Sequence, residues 1–155
     1  MPARAASRQN TNGGAQVPDP IAPPAASRPA EAVELVSLAV SDGDLEAALA
    51  QYEAGAVLRP WAHDQGGDTC GVAGALIPLI DLRLPLAVRI RAVVPTGSLA
   101  LVVGERHIAG TGPDCEQIQL SGAGATVVRR QQGGSWRIVA DAWCLDGPGA
   151  GQGRG

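Results

Sequence analysis

From Leu86 onward the chain is a succession of long apolar runs cut by turn signals, and that order limits the folds open to it. The runs are LAVRIRAVV, SLALVVGERHIAG, CEQIQLSGAGATVVRR and SWRIVADAWCL, separated by PTG, TGPD and QQGG. Each run reads as a strand, and each separator carries Gly or Pro turn chemistry. Upstream the period is helical. Pro29 suits a first helical turn, with Glu31 and Glu34 near the positive dipole end. Ala32, Leu35, Val36, Ala39 and Val40 then recur on one face. SDGD ends this helix at Gly43, and Asp42 or Asp44 can cap a second, LEAALAQY. In that second helix Leu45, Leu49 and Tyr52 share a side, and Gly55 ends it. AVLRPW is a short strand halted by Pro60, HDQGGDTCG a loop, and GVAGALIPLIDL a third helix weakened or kinked at Pro78.

Helices first and tightly connected strands afterwards imply an α+β fold, an antiparallel sheet with helices on one face. Gly104, Gly110, Gly122 and Gly124 would let the strands bend. A sheet so curved is a cone-like half barrel wrapped around the N-terminal helices, with a pocket between them.

The 155 residues are enough for one good core. There is no Phe, and Tyr52, Trp61, Trp136 and Trp143 are the aromatics, so the core must be aliphatic. Every basic residue is Arg; the Lys-free, Ala-, Gly- and Pro-rich usage suits a GC-rich bacterial genome. With a net charge of −3 and no basic run, the footprint of a nucleic-acid binder is missing. No stretch approaches the roughly 20 apolar residues of a membrane span, and no apolar signal core is present. A cytoplasmic protein is expected. Cys70, Cys115 and Cys144 show no metal-ligand spacing and read as free thiols, so no metal or other cofactor is expected. Residues 1–28 have almost no large apolar side chains and 147–155 are Gly-rich, so both read as disordered tails around a domain at 29–146.

The order of these pieces resembles a known superfamily. VSLAVSDGDLEAALAQYEAGAVLRP is similar to the helix, Gly-Asp, helix, Tyr and strand opening of ketosteroid isomerase-like, or nuclear transport factor 2-like, proteins. CGVAGALIPLI resembles their third helix, SLALVVGERHIAGTGPD a strand ending in a Gly-Thr-Gly turn, and GATVVRRQQGGSWRIVADAWC the final hairpin. The resemblance covers nearly all of 29–146. It implies isomerase, SnoaL-like cyclase, dehydratase, epoxide hydrolase or non-catalytic binding and assembly roles, and dimers formed through the sheet.

The same resemblance tests particular residues. Ketosteroid isomerases carry a general-base Asp where this chain has Arg59, which cannot take a proton at neutral pH. Limonene epoxide hydrolase-like members have Arg-x-Asp on a middle strand and an Asp on the last. Arg106 and Asp141 match the first and third positions; Ile108 replaces the second. SnoaL-like cyclases use an Asp, often with a His, and here His63, His107 and Asp141 are available.

GERH, the charged interior of the second long run, faces two ways, because side chains alternate across a strand. The resemblance puts Ala100, Val102, Gly104, Arg106 and Ile108 on the pocket side and leaves Glu105 and His107 outside. A buried Arg needs a partner, and Asp141 in VADAW is the candidate. The pair is either a structural ion pair or a working one, in which Arg106 steadies an oxyanion and Asp141 moves a proton. His63 is a further candidate base or a solvated loop residue. Tyr52, Trp61, Ile108 and Trp143 are candidate substrate-lining residues or simply core. Two functions follow. One is a cofactor-independent enzyme performing acid–base chemistry, such as cyclisation, isomerisation or hydration, on a hydrophobic small molecule. The other is a non-catalytic ligand-binding or dimerisation domain.

Overall fold

The computed structural model describes residues 21–63 and 71–147. In chain order the elements are α1 (Pro29–Asp42), α2 (Leu45–Leu49), β1 (Tyr52–Trp61), α3 (Gly71–Asp81), β2 (Leu86–Thr96), β3 (Leu99–Thr111), β4 (Gln117–Arg130) and β5 (Trp136–Leu145). The strands form one sheet in the order β1-β5-β4-β3-β2. β2 to β5 pair antiparallel, as tight turns dictate, whereas β1 joins β5 in parallel. The result is a curved, unclosed α+β sheet with its helices on the concave side.

Local chemistry explains the helices. α1 has Pro in its first turn and ends at Gly43, whose φ of 73° is the left-handed cap conformation. Asp44 caps α2 by accepting from the Ala47 amide at 3.0 Å. α1 buries Ala32, Val33, Val36, Ala39 and Val40 against the sheet. It also grips the first residue of β2: Ser37 Oγ donates to the Leu86 carbonyl at 2.5 Å, and Ser41 Oγ accepts from the Leu86 amide at 2.9 Å.

The first strand departs from the sequence expectation. α2 stops at Leu49, and Tyr52 opens β1 instead of closing the helix. Gly55 lies inside β1 at φ 79° and does not end α2. The reason is sheet pairing: the Ile138 amide donates to the Gln51 carbonyl at 2.7 Å, and Tyr52 is in register with Ile138. Those bonds override a helical spacing of apolar residues. Pro60 is tolerated because β1 is an edge strand.

The N-terminal boundary also moves. Trp136 donates to the Ala26 carbonyl at 2.9 Å, and Gln51 Nε2 donates to the Pro24 carbonyl at 2.8 Å. The chain is therefore fixed to the sheet from Pro24, inside the stretch expected to be a tail. The rest of that expectation, residues 1–20, and the tail beyond 147 lie outside the described residues.

Two irregularities shape the inner face. At Gly122 and Gly124 a Cβ would strike the backbone carbonyls of Cys144 and Ala142, so β5 crosses β4 closer than any side chain would permit. In β5, Val127 pairs with Ala140 while Val128 pairs with Ile138, leaving Val139 as an extra residue. This bulge shifts the alternation. Trp136 and Ile138 are buried before it, and Asp141, Trp143 and Leu145 after it.

Candidate functional site

The bulge aims Asp141 into the concave side, where four side chains meet its carboxylate. Thr126 Oγ1 donates to Oδ1 at 2.6 Å and Arg106 Nη2 to the same oxygen at 3.3 Å. Tyr52 Oη and Trp143 Nε1 each donate to Oδ2 at 2.8 Å. Arg106 Nη2 also donates to Thr126 Oγ1 at 3.0 Å, and the guanidinium lies 5.0 Å from the centroid of the Trp143 ring. The Arg106 and Asp141 side chains are 3% and 1% exposed. A charge pair so deep is tolerated because each partner is compensated by the other and by neutral donors.

Strand register explains the meeting. Thr126 is opposite Asp141 across β4 and β5, and β3 carries Arg106 on the face shared with Ala100, Val102, Gly104 and Ile108. Glu105 and His107 are exposed on the other face, where Arg91 Nη2 donates to Glu105 Oε1 at 3.0 Å and to Oε2 at 2.8 Å. Tyr52 enters from β1. Burial, and after it the Asp141 charge, push its phenol well above the usual tyrosine range, so it stays a neutral donor.

Of the residues singled out in the sequence, Arg106, Asp141, Tyr52 and Trp143 come together here. Ile108 is buried beside Leu86 and Leu120 on the same face. His63 and Trp61 do not join them. His63 is 74% exposed and pairs with Asp146 at 3.7 Å, and Trp61, at the end of β1, is 40% exposed. Thr126 was not anticipated. Its one signal is a polar residue inside the apolar run GATVV, and simple counting back from the QQGG turn would set it opposite Ala140. Among the described residues no group of three or more His, Cys, Asp or Glu is placed to hold a metal. Cys115 and Cys144 are free and exposed; Cys70 lies outside the described residues.

A cleft of about 400 Å³ lies between the start of β1 and the start of α3, lined by Leu49, Tyr52, Ala56, Val72 and their neighbours. Tyr52 thus belongs to the cleft wall and to the buried cluster. No described helix is long and apolar enough to cross a membrane.

An α+β cone with a polar cluster on its concave face is a recurrent architecture. No protein-family model matches the sequence, and no curated protein sequence does. Solved structures do match in shape. A conserved protein from Planctomyces limnophilus DSM 3776 superposes with a TM-score of 0.65 at 15% identity, over 76% of this chain and 93% of that one. A ketosteroid isomerase-like protein from Erwinia carotovora atroseptica SCRI1043 gives 0.61 at 18%, over 73% and 89%. The Delta 5-3-ketosteroid isomerase from Mycobacterium sp. gives 0.52 at 20%, over 76% and 95%. The chain has the ketosteroid isomerase-like, nuclear transport factor 2-like fold.

Proposed function

We propose that this protein binds a hydrophobic small molecule on the concave side of its sheet, with Arg106 as the recognising group. In this reading the cluster around Asp141 is a fixed scaffold, not a proton-transfer pair. The carrying observation is that both carboxylate oxygens of Asp141 already accept two donors each. A carboxylate with its lone pairs filled has no position from which to take a substrate proton. His63 is paired at the surface, and Ile108 stands where a second carboxylate would be. The likeness to ketosteroid isomerases supports a second reading, an acid–base cyclase, isomerase or hydratase, in which Tyr52 or Trp143 swings away to free Asp141.

Denaturant unfolding of Arg106→Met and Asp141→Asn separates the two. A scaffold predicts a loss of about 3–5 kcal/mol for each, because either change strands a buried charge or a buried guanidinium. Unchanged or raised stability would mean that the pair is kept at a cost to the fold, and would favour the enzyme.

The same proposal places two copies back to back. Val94, Leu101, Val127, Ala140 and Val57 stand in register across all five strands, on the face opposite Asp141. Val57, Val94 and Leu101 are exposed there. An apolar row spanning a sheet suits a homodimer interface.

A further inference from the structure

We propose that the back-to-back pairing of two copies is completed by a multivalent oxyanion of the phosphate type, held between arginines that the convex face leaves without counterions. This rests on the reading of that face as the interface between copies, and it names what the interface needs besides its apolar row. Arg129 and Arg137 are in register across β4 and β5, and Arg129 is in register with Leu99 of β3. They stand two residues along the strands from Val127 and its row, roughly 7 Å away. On the other side of the row Arg89 is in register with Glu105, four residues beyond Leu101 and roughly 13 Å from it. Arg89 and Arg137 are both exposed.

The acids of this face are already engaged. Glu105 holds Arg91 at 2.8 Å, and Glu53 holds Arg129 at 3.3 Å. Asp146 is bridged to Ser121, well down β4 from Arg129, and meets His63 at 3.7 Å. Arg59, in register with Ala142, is engaged as well. Among the described residues Arg89 and Arg137 have no ion pair and no side-chain hydrogen bond. In a single copy such charges cost little, because water solvates them. Two faces brought together set two from each copy along one seam, where solvent is thinner and like charges repel. Arg137 is also directly opposite another cation, Arg129. An oxyanion with more than one charge and several acceptor oxygens matches two guanidinium forks. A seam between two folded copies admits a small dissolved ion and no membrane surface or nucleic-acid duplex.

Sedimentation velocity of the full chain reads the dimer dissociation constant in sodium chloride and in sodium phosphate, at one pH and one ionic strength. The wild type should dimerise at least about tenfold more tightly in phosphate. The double variant Arg89→Gln, Arg137→Gln changes two exposed side chains. It should dimerise in chloride about as tightly as the wild type does in phosphate, and gain nothing from phosphate. Equal constants for the wild type in the two salts would overturn the anion inference and leave the dimer standing. A phosphate gain that persists in the double variant would overturn it too, because the gain then reflects exclusion of the salt from apolar surface. Monomers in both salts, for wild type and double variant alike, would overturn the interface reading, and the inference with it.

Discussion

Trp143 holds Asp141 from two positions further along the same strand, its indole N–H donating to Oδ2 at 2.8 Å. Tyr52, 89 residues earlier in the chain, donates to the same oxygen at the same distance. Trp143→Phe and Tyr52→Phe should each cost about 1.5–3 kcal/mol, the range for a hydrogen bond to a charged group. The double variant should deviate from the sum of the two, because both donors serve one atom. Urea unfolding of the four proteins in a double-mutant cycle measures this.

Alkaline pH gives a second expectation. Tyr52 ionises above its usual value of 10.0 when folded, and at about that value when unfolded. Its contribution is fully present below the unfolded value. Above it the unfolded chain releases a proton that the folded chain keeps, so stability falls as pH rises. The chain has one Tyr and no Lys, so few other groups obscure this limb. Unfolding free energies measured from pH 8 to about 11 should decline in the wild type and stay flatter in Tyr52→Phe.

Close approach of β4 and β5 gives a third. Gly124→Ala should destabilise by at least about 1–3 kcal/mol, because the added methyl meets a backbone carbonyl that cannot turn aside. Gly133→Ala is the control, since nothing lies near a Cβ there. Thermal melts of the two variants should differ by several degrees.

The bulge can be tested by removing it. Deleting Val139 leaves Asp141 two positions after Ile138, so plain alternation keeps it on the concave face without a bulge. The expected product keeps the dispersed indole signal of Trp143 and its cooperative unfolding. A deletion variant that has lost both would show that the extra residue does more than set which way Asp141 points.

Association through the convex face is tested by Leu101→Lys. It should convert a dimer to a monomer in light-scattering chromatography without loss of helix or strand signal, since Leu101 points away from the core.

Much of the fold was readable because it rests on local chemistry. PTG, TGPD and QQGG fix where strands stop, and β2 to β5 begin and end within two residues of the apolar runs. Tyr52 was misplaced because Leu45, Leu49 and Tyr52 fit a helical face as well as any true helix. What decides against it is a bond to Ile138, far away in sequence. The meeting of Arg106 and Asp141 followed from a family resemblance, and periodicity opposed it. Counting by twos from the buried Trp136 and Ile138 puts Asp141 outside. One extra residue at Val139 reverses that count, and nothing in SWRIVADAWCL marks it. Thr126 was missed for the same reason.

The parallel pairing of β1 with β5 has a consequence for how the molecule assembles. β2, β3 and β4 are joined by short turns and can zip together as neighbours. Bringing Tyr52 beside Ile138 closes a loop of more than half the chain's length. During synthesis that closure must wait for the last strand to emerge. Arg106 therefore stands without its counterion until β5 docks, and the docking that completes the sheet is also the event that neutralises its interior.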